Sequence, residues 1–309
     1  MVHKIWESYP TIEKALYDVK KLMKNSIKVP MVEVNNKILE YIDAPGKYLR
    51  SGLTIMVADN LGLPIDHDVI SAAAGLELMH LSTLIHDDVI DNADTRRGVT
   101  VIHKDFSNKI AIYAGDYLLS LSGRLLVESN LKINRNMIDN KVIEHILIGE
   151  LRQLMNQNRD DMTMNDYLRQ IKGKTATLFG LAVLIGGIKA ELPRRDLKRL
   201  YYAGQMIGMA FQLNDDLIDY HQDSAISGKP KLQDVQNGIY TAPYLMLKER
   251  VDNIKDLEYD ELPRLMKEYQ IFDSVEAVIT SYLNKSWRYF ELVNINPTKI
   301  KELLRKLDY

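Results

Sequence analysis

A chain of 309 residues, 46% of them hydrophobic, can bury a large core, and a formal charge of −2 gives no global basic field that would suit a nucleic acid. The lack of cysteine excludes a disulfide framework and a thiolate metal site. The opening "MVHKIWESYPTIEKAL" has no apolar core behind a basic start, so no secretory leader is expected and the protein is placed in the cytoplasm.

In chain order, "IEKALYDVKKLM" repeats apolar residues at three- and four-residue spacing and predicts an amphipathic helix. "PGKYLR" (Pro45 to Arg50) brings Lys47 and Arg50 to the start of another. "NLGLPIDHDV" predicts one helix stopping at Gly62 and the next starting near Asp66. "AAAGLELMHLSTLI" is apolar nearly all round and ends in "HDDVIDNADTRRG". "AIYAGDYLLSLSGRLLVES" and "YYAGQMIGMAFQL" again have helical spacing. "TATLFGLAVLIGGI", from Thr175, is interrupted by glycines and too short for a membrane-spanning helix, so it is expected in the core. Pro30, Pro64 and Pro193 fall between periodic segments, and two-residue alternation is scarce. The fold class is all-α: a large helical bundle forming one domain over residues 1–309, since no stretch has the composition of a linker.

One motif occurs twice. "HDDVIDN" (His86 to Asn92) returns as "NDDLIDY" (Asn214 to Tyr220), each at the C-terminal end of an apolar helical run. Helical spacing lets Asp87, Asp88 and Asp91 aim together, and likewise Asp215, Asp216 and Asp219. Three carboxylates near a helix C-terminus repel one another and oppose the helix dipole, so a cation is the simplest compensation. Oxygen-only ligands favour a hard ion, and Mg²⁺ commonly bridges one or two carboxylates to substrate phosphates. A solvated acidic helix end is the alternative for either motif alone. A di-iron bundle is set aside, because Glu77-x-x-His80 has no second Glu-x-x-His to match it.

Cations accompany the acids: Lys47 and Arg50 in "PGKYLR", Arg96 and Arg97 in "DTRRG", Lys174 followed by Thr175 in "GKT", and Lys229 in "SGKPK". Guanidinium and ammonium groups with Mg²⁺ form an ordinary clamp for phosphate oxygens, which points to a diphosphate ligand.

Together "GKYLR", "HLSTLIHDDVIDNADTRRG", the "AGD" at Ala114 to Asp116, "GKTATLFG", "FQLNDDLIDY" and "GKP" resemble the trans-isoprenyl diphosphate synthases, or polyprenyl synthetases, from about Pro45 to Pro243. The resemblance implies a helical bundle around a deep apolar cavity and a prenyltransferase that condenses an allylic diphosphate with isopentenyl diphosphate. It implies that the six aspartates hold Mg²⁺ against the allylic diphosphate, aided by Arg96, Lys174 and Lys229. It assigns Lys47, Arg50, His80 and Arg97 to isopentenyl diphosphate, and Thr175 and Gln212 to the reacting centre. A homodimer is a further expectation, with a heteromer as the alternative, and a long-tailed product would be released at a membrane surface.

Two departures stand out. Pro45, Tyr48 and Ser51 replace the usual Gly, Arg and Pro of the family's first basic motif, and Ile239 stands where a Lys is frequent. Product length is expected along the helix before Asp87, at Ser82, Thr83 and Met79; at Ser82 and Thr83 short-chain members place an aromatic stop. The small Ser82 and Thr83 imply a product longer than farnesyl diphosphate, in the long-chain class, with geranylgeranyl diphosphate as the shorter alternative. A helical terpene cyclase would not need the second diphosphate site, and a non-catalytic subunit of a heteromeric synthase would lack the aspartate motifs.

Overall fold

A computed structural model describes residues 2–131, 141–221 and 232–307. Its α-helices, in chain order, are α1 (Pro10–Ser26), α2 (Val32–Asp43), α3 (Leu49–Asn60), α4 (His67–Ile90), α5 (Ile102–Asp105), α6 (Asn108–Glu128) and α7 (Val142–Asn156). They continue with α8 (Met164–Ile171), α9 (Thr177–Ile188), α10 (Arg194–His221), α11 (Gln233–Gln236), α12 (Ala242–Lys248), α13 (Leu262–Glu268), α14 (Ile271–Glu291) and α15 (Thr298–Arg305). Among the described residues the only named strands are β1 (Thr95–Arg96) and β2 (Val99–Thr100), so the chain is all-α as its periodicity predicts.

The chain divides into two compact units. The first comprises Met1–Ile138, Ala182–Lys198 and Asn294–Tyr309, and the second Asp139–Leu181 and Arg199–Val293.

In the first unit α4 is the buried axis, contacting α1, α3 and α6. Ala72, Ala73, Ala74, Leu76 and Leu78 are all fully buried, which covers every side of the helix and matches a sequence apolar all round. Each such leucine contributes roughly 2 kcal/mol of burial. The buried hydroxyls are matched to α6 carbonyls: Ser71 Oγ donates to Leu125 O at 3.0 Å and Ser82 Oγ to Gly115 O at 2.8 Å. Asp66 caps α4 by accepting from Val69 N, and also bonds Lys189. The helix stops at Asn92, whose φ of +49° lies in the left-handed region that ends many helices.

A two-residue ribbon follows, with Thr95 opposite Thr100 and Arg96 opposite Val99. Its turn residues, Arg97 (φ +52°) and Gly98 (φ +83°), are both left-handed, as a type I′ hairpin turn demands. This ribbon aims Arg96 and Arg97 differently although they are adjacent.

The second unit is built around Tyr167, Ile171, Leu213, Leu217, Tyr244, Leu247, Met266 and Val275. Thr163 and Asp166 form a reciprocal capping box at the start of α8. Between α8 and α9 the helix takes one wide π turn, Lys172–Ala176, and runs continuously from Met164 to Ile188. α7 crosses it at two glycines. A Cβ on Gly149 would lie 2.2 Å from Lys174 N, and one on Gly173 would lie 2.6 Å from His145 O, so only glycine permits this approach.

The run from Thr175 therefore sits in a helix longer than its apolar stretch suggests. By length and composition alone, His67–Ile90, Asn108–Glu128 and Met164–Ile188 could each cross a membrane, contrary to the sequence reading of the Thr175 run; the windows are 78%, 39% and 89% buried within the protein.

Candidate active site

In the first unit the acidic motif closes α4. The structure divides its three aspartates instead of aiming them together. Asp88 faces inward and is 1% exposed, Asp87 is half-buried, and Asp91 is exposed at the helix end. Asp88 Oδ1 accepts from Arg96 Nε at 2.6 Å, and Oδ2 accepts from the Tyr41 hydroxyl at 3.2 Å. The Tyr41 oxygen in turn accepts from Ile102 N at 3.1 Å. Burial raises the Asp88 carboxyl, against the attraction of Arg96.

The basic group surrounds the same helix. His80, Arg97, Tyr48 and Glu77 line one small cavity with Tyr41. Arg97 also reaches the loop before α3, where a Cβ on Gly46 would lie 2.7 Å from its Nη1. Burial, then Arg50, Arg97 and Arg96, push the His80 imidazole well below its usual range, so near neutrality it is an uncharged donor among cations. Arg50 is pushed down to about 10 by burial and remains protonated, with Glu77 opposing the shift. Lys47 is exposed.

Ser51, which replaces a proline of the family pattern, donates to Glu77 Oε2 at 2.6 Å. Tyr48 starts α3 with φ +50° and donates to Ile42 O at 3.1 Å. Glu77 entered the sequence reading only as half of an iron motif; here it is the buried acid of the basic cluster.

In the second unit four predicted or newly found residues form a chain. Thr175 Oγ1 donates to Gln212 Oε1 at 2.7 Å, Gln212 Nε2 donates to Asp216 Oδ1 at 2.9 Å, and the Tyr167 hydroxyl donates to Asp216 Oδ2. Asp216 is 2% exposed, whereas Asp215 is exposed and Asp219 half-buried. Burial pushes Asp216 up to about 8 despite the bonds from Tyr167 and Gln212, and Asp234 and Asp215 add to the rise. Lys174, on the π turn, bonds Glu150 Oε2 at 2.7 Å. Ile239 is half-buried beside Gly238, and Lys229 and Lys231 lie outside the described residues.

Among the described residues no three His, Asp or Glu side chains are gathered as ligands of one ion. The donor set nevertheless suits a hard cation. It is all carboxylate, and a buried acid flanked by further acids, as Asp216 is, gains from any neighbouring positive charge.

Of the residues expected to govern product length, Ser82 faces Gly115 of α6, Thr83 is half-buried and donates to His80 O at 2.8 Å, and Met79 is buried. Sequence reasoning missed Tyr41, Tyr167 and Glu150. Nothing beside them in the sequence marks them, since each acts on a residue at least 24 positions away.

Residues 32–277 match the polyprenyl synthetase family model, so the chain belongs to the polyprenyl synthetase family and is a prenyltransferase. It is 29% identical to "Heptaprenyl diphosphate synthase component 2" of Geobacillus stearothermophilus, over 98% of this chain and 97% of that protein. It is 35% identical to "Octaprenyl diphosphate synthase" of Escherichia coli, over 69% of this chain and 66% of that protein. The solved polyprenyl synthase of Caulobacter crescentus CB15, complexed with calcium and isoprenyl diphosphate, matches with a TM-score of 0.83 at 25% identity, over 94% of this chain and 93% of that one.

Proposed function

We propose that this prenyltransferase is Mg²⁺-dependent, joins an allylic diphosphate to isopentenyl diphosphate, and releases a trans-polyprenyl diphosphate longer than farnesyl diphosphate. The observation that carries the reading is that each unit ends an apolar helix in the same acidic motif, bonded in both cases to a polar side chain suited to a diphosphate or a cation: Arg96 in the first, Gln212 in the second.

Asp87 and Asp91 with Asp215 and Asp219 supply the outward oxygen donors, and Asp88 and Asp216 stand behind them as buried carboxyl groups. Mg²⁺, when bound, neutralises the departing diphosphate. Arg96, Lys174 and Lys229 hold that group; for Lys174 this means exchanging Glu150 for phosphate oxygens. Lys47, Arg50, His80 and Arg97 bind isopentenyl diphosphate, His80 through a neutral N–H. The allylic C–O bond breaks with its electron pair on the diphosphate, the double bond of isopentenyl diphosphate forms the new C–C bond, and a proton is lost. Thr175 and Gln212 present oxygen dipoles to the positive charge that develops. Apolar surroundings keep out water, which would otherwise capture the cation.

We assign product length to the face of α4 that carries Met79, Ser82 and Thr83. Thr83, half-buried one turn from Asp87, is the member of the set whose enlargement would meet a tail without first displacing α6. The names of long-chain relatives support a product in that class. We place the enzyme in the cytoplasm, delivering its product to a membrane surface. We also propose a homodimer, supported by apolar side chains left exposed on α6 and α7; the relative called component 2 favours assembly with a different chain as a second reading.

The test is the purified chain alone with Mg²⁺, farnesyl diphosphate and isopentenyl diphosphate, the products sized by chromatography. Products beyond geranylgeranyl diphosphate are expected, and Asp87→Ala or Asp215→Ala is expected to lower turnover about 100-fold or more with helical content intact. A product that stops at farnesyl diphosphate overturns the length assignment, and full turnover by the combined variant overturns the metal assignment.

A further inference from the structure

The two acidic motifs share a feature that their sequences do not announce. In each, the middle carboxylate receives a phenol hydroxyl from another helix. Tyr41 of α2, 2% exposed, donates to Asp88, and Tyr167 of α8, 1% exposed, donates to Asp216. The other carboxylate oxygen is taken in each case by a side chain that the proposed function uses, Arg96 for Asp88 and Gln212 for Asp216. Because the Tyr41 oxygen already accepts from Ile102 N, its own proton is left to aim at Asp88.

Neither hydroxyl is needed to fill space, since phenylalanine would occupy nearly the same volume. What the hydroxyl adds is a directional bond to a buried carboxylate. Without it Asp88 Oδ2 or Asp216 Oδ2 would be a buried acceptor short of a partner, and the side chain or the helix end would turn to find one. On a helix, rotating the middle residue of the motif rotates the first and last with it.

We propose that Tyr41 and Tyr167 are positioning residues: each pins the middle carboxylate of one acidic motif inward and so fixes the direction in which Asp87 and Asp91, or Asp215 and Asp219, face Mg²⁺ and diphosphate. The inference rests on the proposed function. The effect of the tyrosines passes through Asp88 and Asp216, and through the competition of those carboxylates for Arg96 and Gln212.

The experiment titrates Mg²⁺ in the presence of inorganic pyrophosphate by calorimetry, on the full chain and without turnover, for the wild type, Tyr41→Phe, Tyr167→Phe, Asp88→Asn and Asp216→Asn, and for the doubles Tyr41→Phe/Asp88→Asn and Tyr167→Phe/Asp216→Asn. Loss of an outer-shell partner is expected to raise the Mg²⁺ concentration at half-saturation about tenfold. Each tyrosine change should add less than about twofold once its aspartate is already asparagine, because the pinned carboxyl group is gone. Melting curves on the same samples separate positioning from folding. A lowered melting temperature with an unchanged Mg²⁺ titration shows a structural role only and overturns the proposal, as does full additivity in the doubles. If one tyrosine variant does not fold, the other tyrosine and its aspartate double carry the test by the same criteria. Wild-type protein that binds no Mg²⁺–pyrophosphate overturns the proposed function itself, and the tyrosine assignment with it. Normal wild-type binding beside unaltered tyrosine variants overturns the tyrosine assignment alone.

Discussion

His80 is held well below the ordinary histidine value of 6.5 by burial and then by Arg50, Arg97 and Arg96. An unfolded chain binds a proton at this histidine as pH falls through 6.5, while the folded chain does not until lower pH. Stability should therefore decline from about pH 6.5 downward, at up to about 1.4 kcal/mol per pH unit from this group. Thermal melts between roughly pH 7.5 and 5.5 should show a falling melting temperature for the wild type and a flatter profile for His80→Gln; parallel profiles would remove His80 as the cause. Arg96 and Lys174 are legible in the sequence because charge and spacing mark them, and His80 is legible through the family resemblance. Tyr41 and Tyr167 are two of seventeen tyrosines and are distinguished only by what lies across from them in space. Ser51 is intermediate: its departure from the family pattern is visible, but the bond to Glu77 that it makes possible is not.

The helices were the readable elements, and the irregular turns between and within them were not. α4 follows directly from an apolar run between Asp66 and Asn92, a capping residue and a left-handed stop. The β1–β2 turn was hidden because arginine is an unusual occupant of its first position, where Asn, Asp and Gly are preferred. The π turn leaves no compositional trace, yet it carries Lys174 and Thr175 and depends on the crossing of Gly149 and Gly173. Gly173→Ala should force α7 away from the turn, with a loss of about 1–3 kcal/mol in denaturant melts and a severalfold rise in KM for the allylic diphosphate. If stability falls with that KM unchanged, the crossing supports the fold without setting the position of Lys174.

The division of the whole molecule has no linker to mark it, because two of its boundaries fall inside α9 and α10. The units are legible in space and not in composition. Assembly is a property of the whole chain as well. Tyr113 and Val127 on α6 are 73% and 71% exposed, and Leu151 and Met155 on α7 are 59% and 77% exposed, more apolar surface than single scattered residues would leave. With a second copy as the occupant, Val127→Glu or Met155→Glu should shift sedimentation from dimer toward monomer; a wild type that sediments as an active monomer would contradict the homodimer.

The first unit also contains the segment around α15. Ile300, Leu303 and Leu304 are buried there, Lys299 pairs with Asp59 at 2.8 Å, Asn60 donates to Asn296 O at 2.9 Å, and the Tyr9 hydroxyl donates to Lys299 O at 3.3 Å. A ribosome delivers α4 and its aspartates early but withholds these contacts until the described helices before α15 have been made. The unit begun first therefore closes only after the residues of the second have been made. A premature stop shortly before α15 would strike the early-made acidic motif, although the later one lies nearer to the damage in sequence.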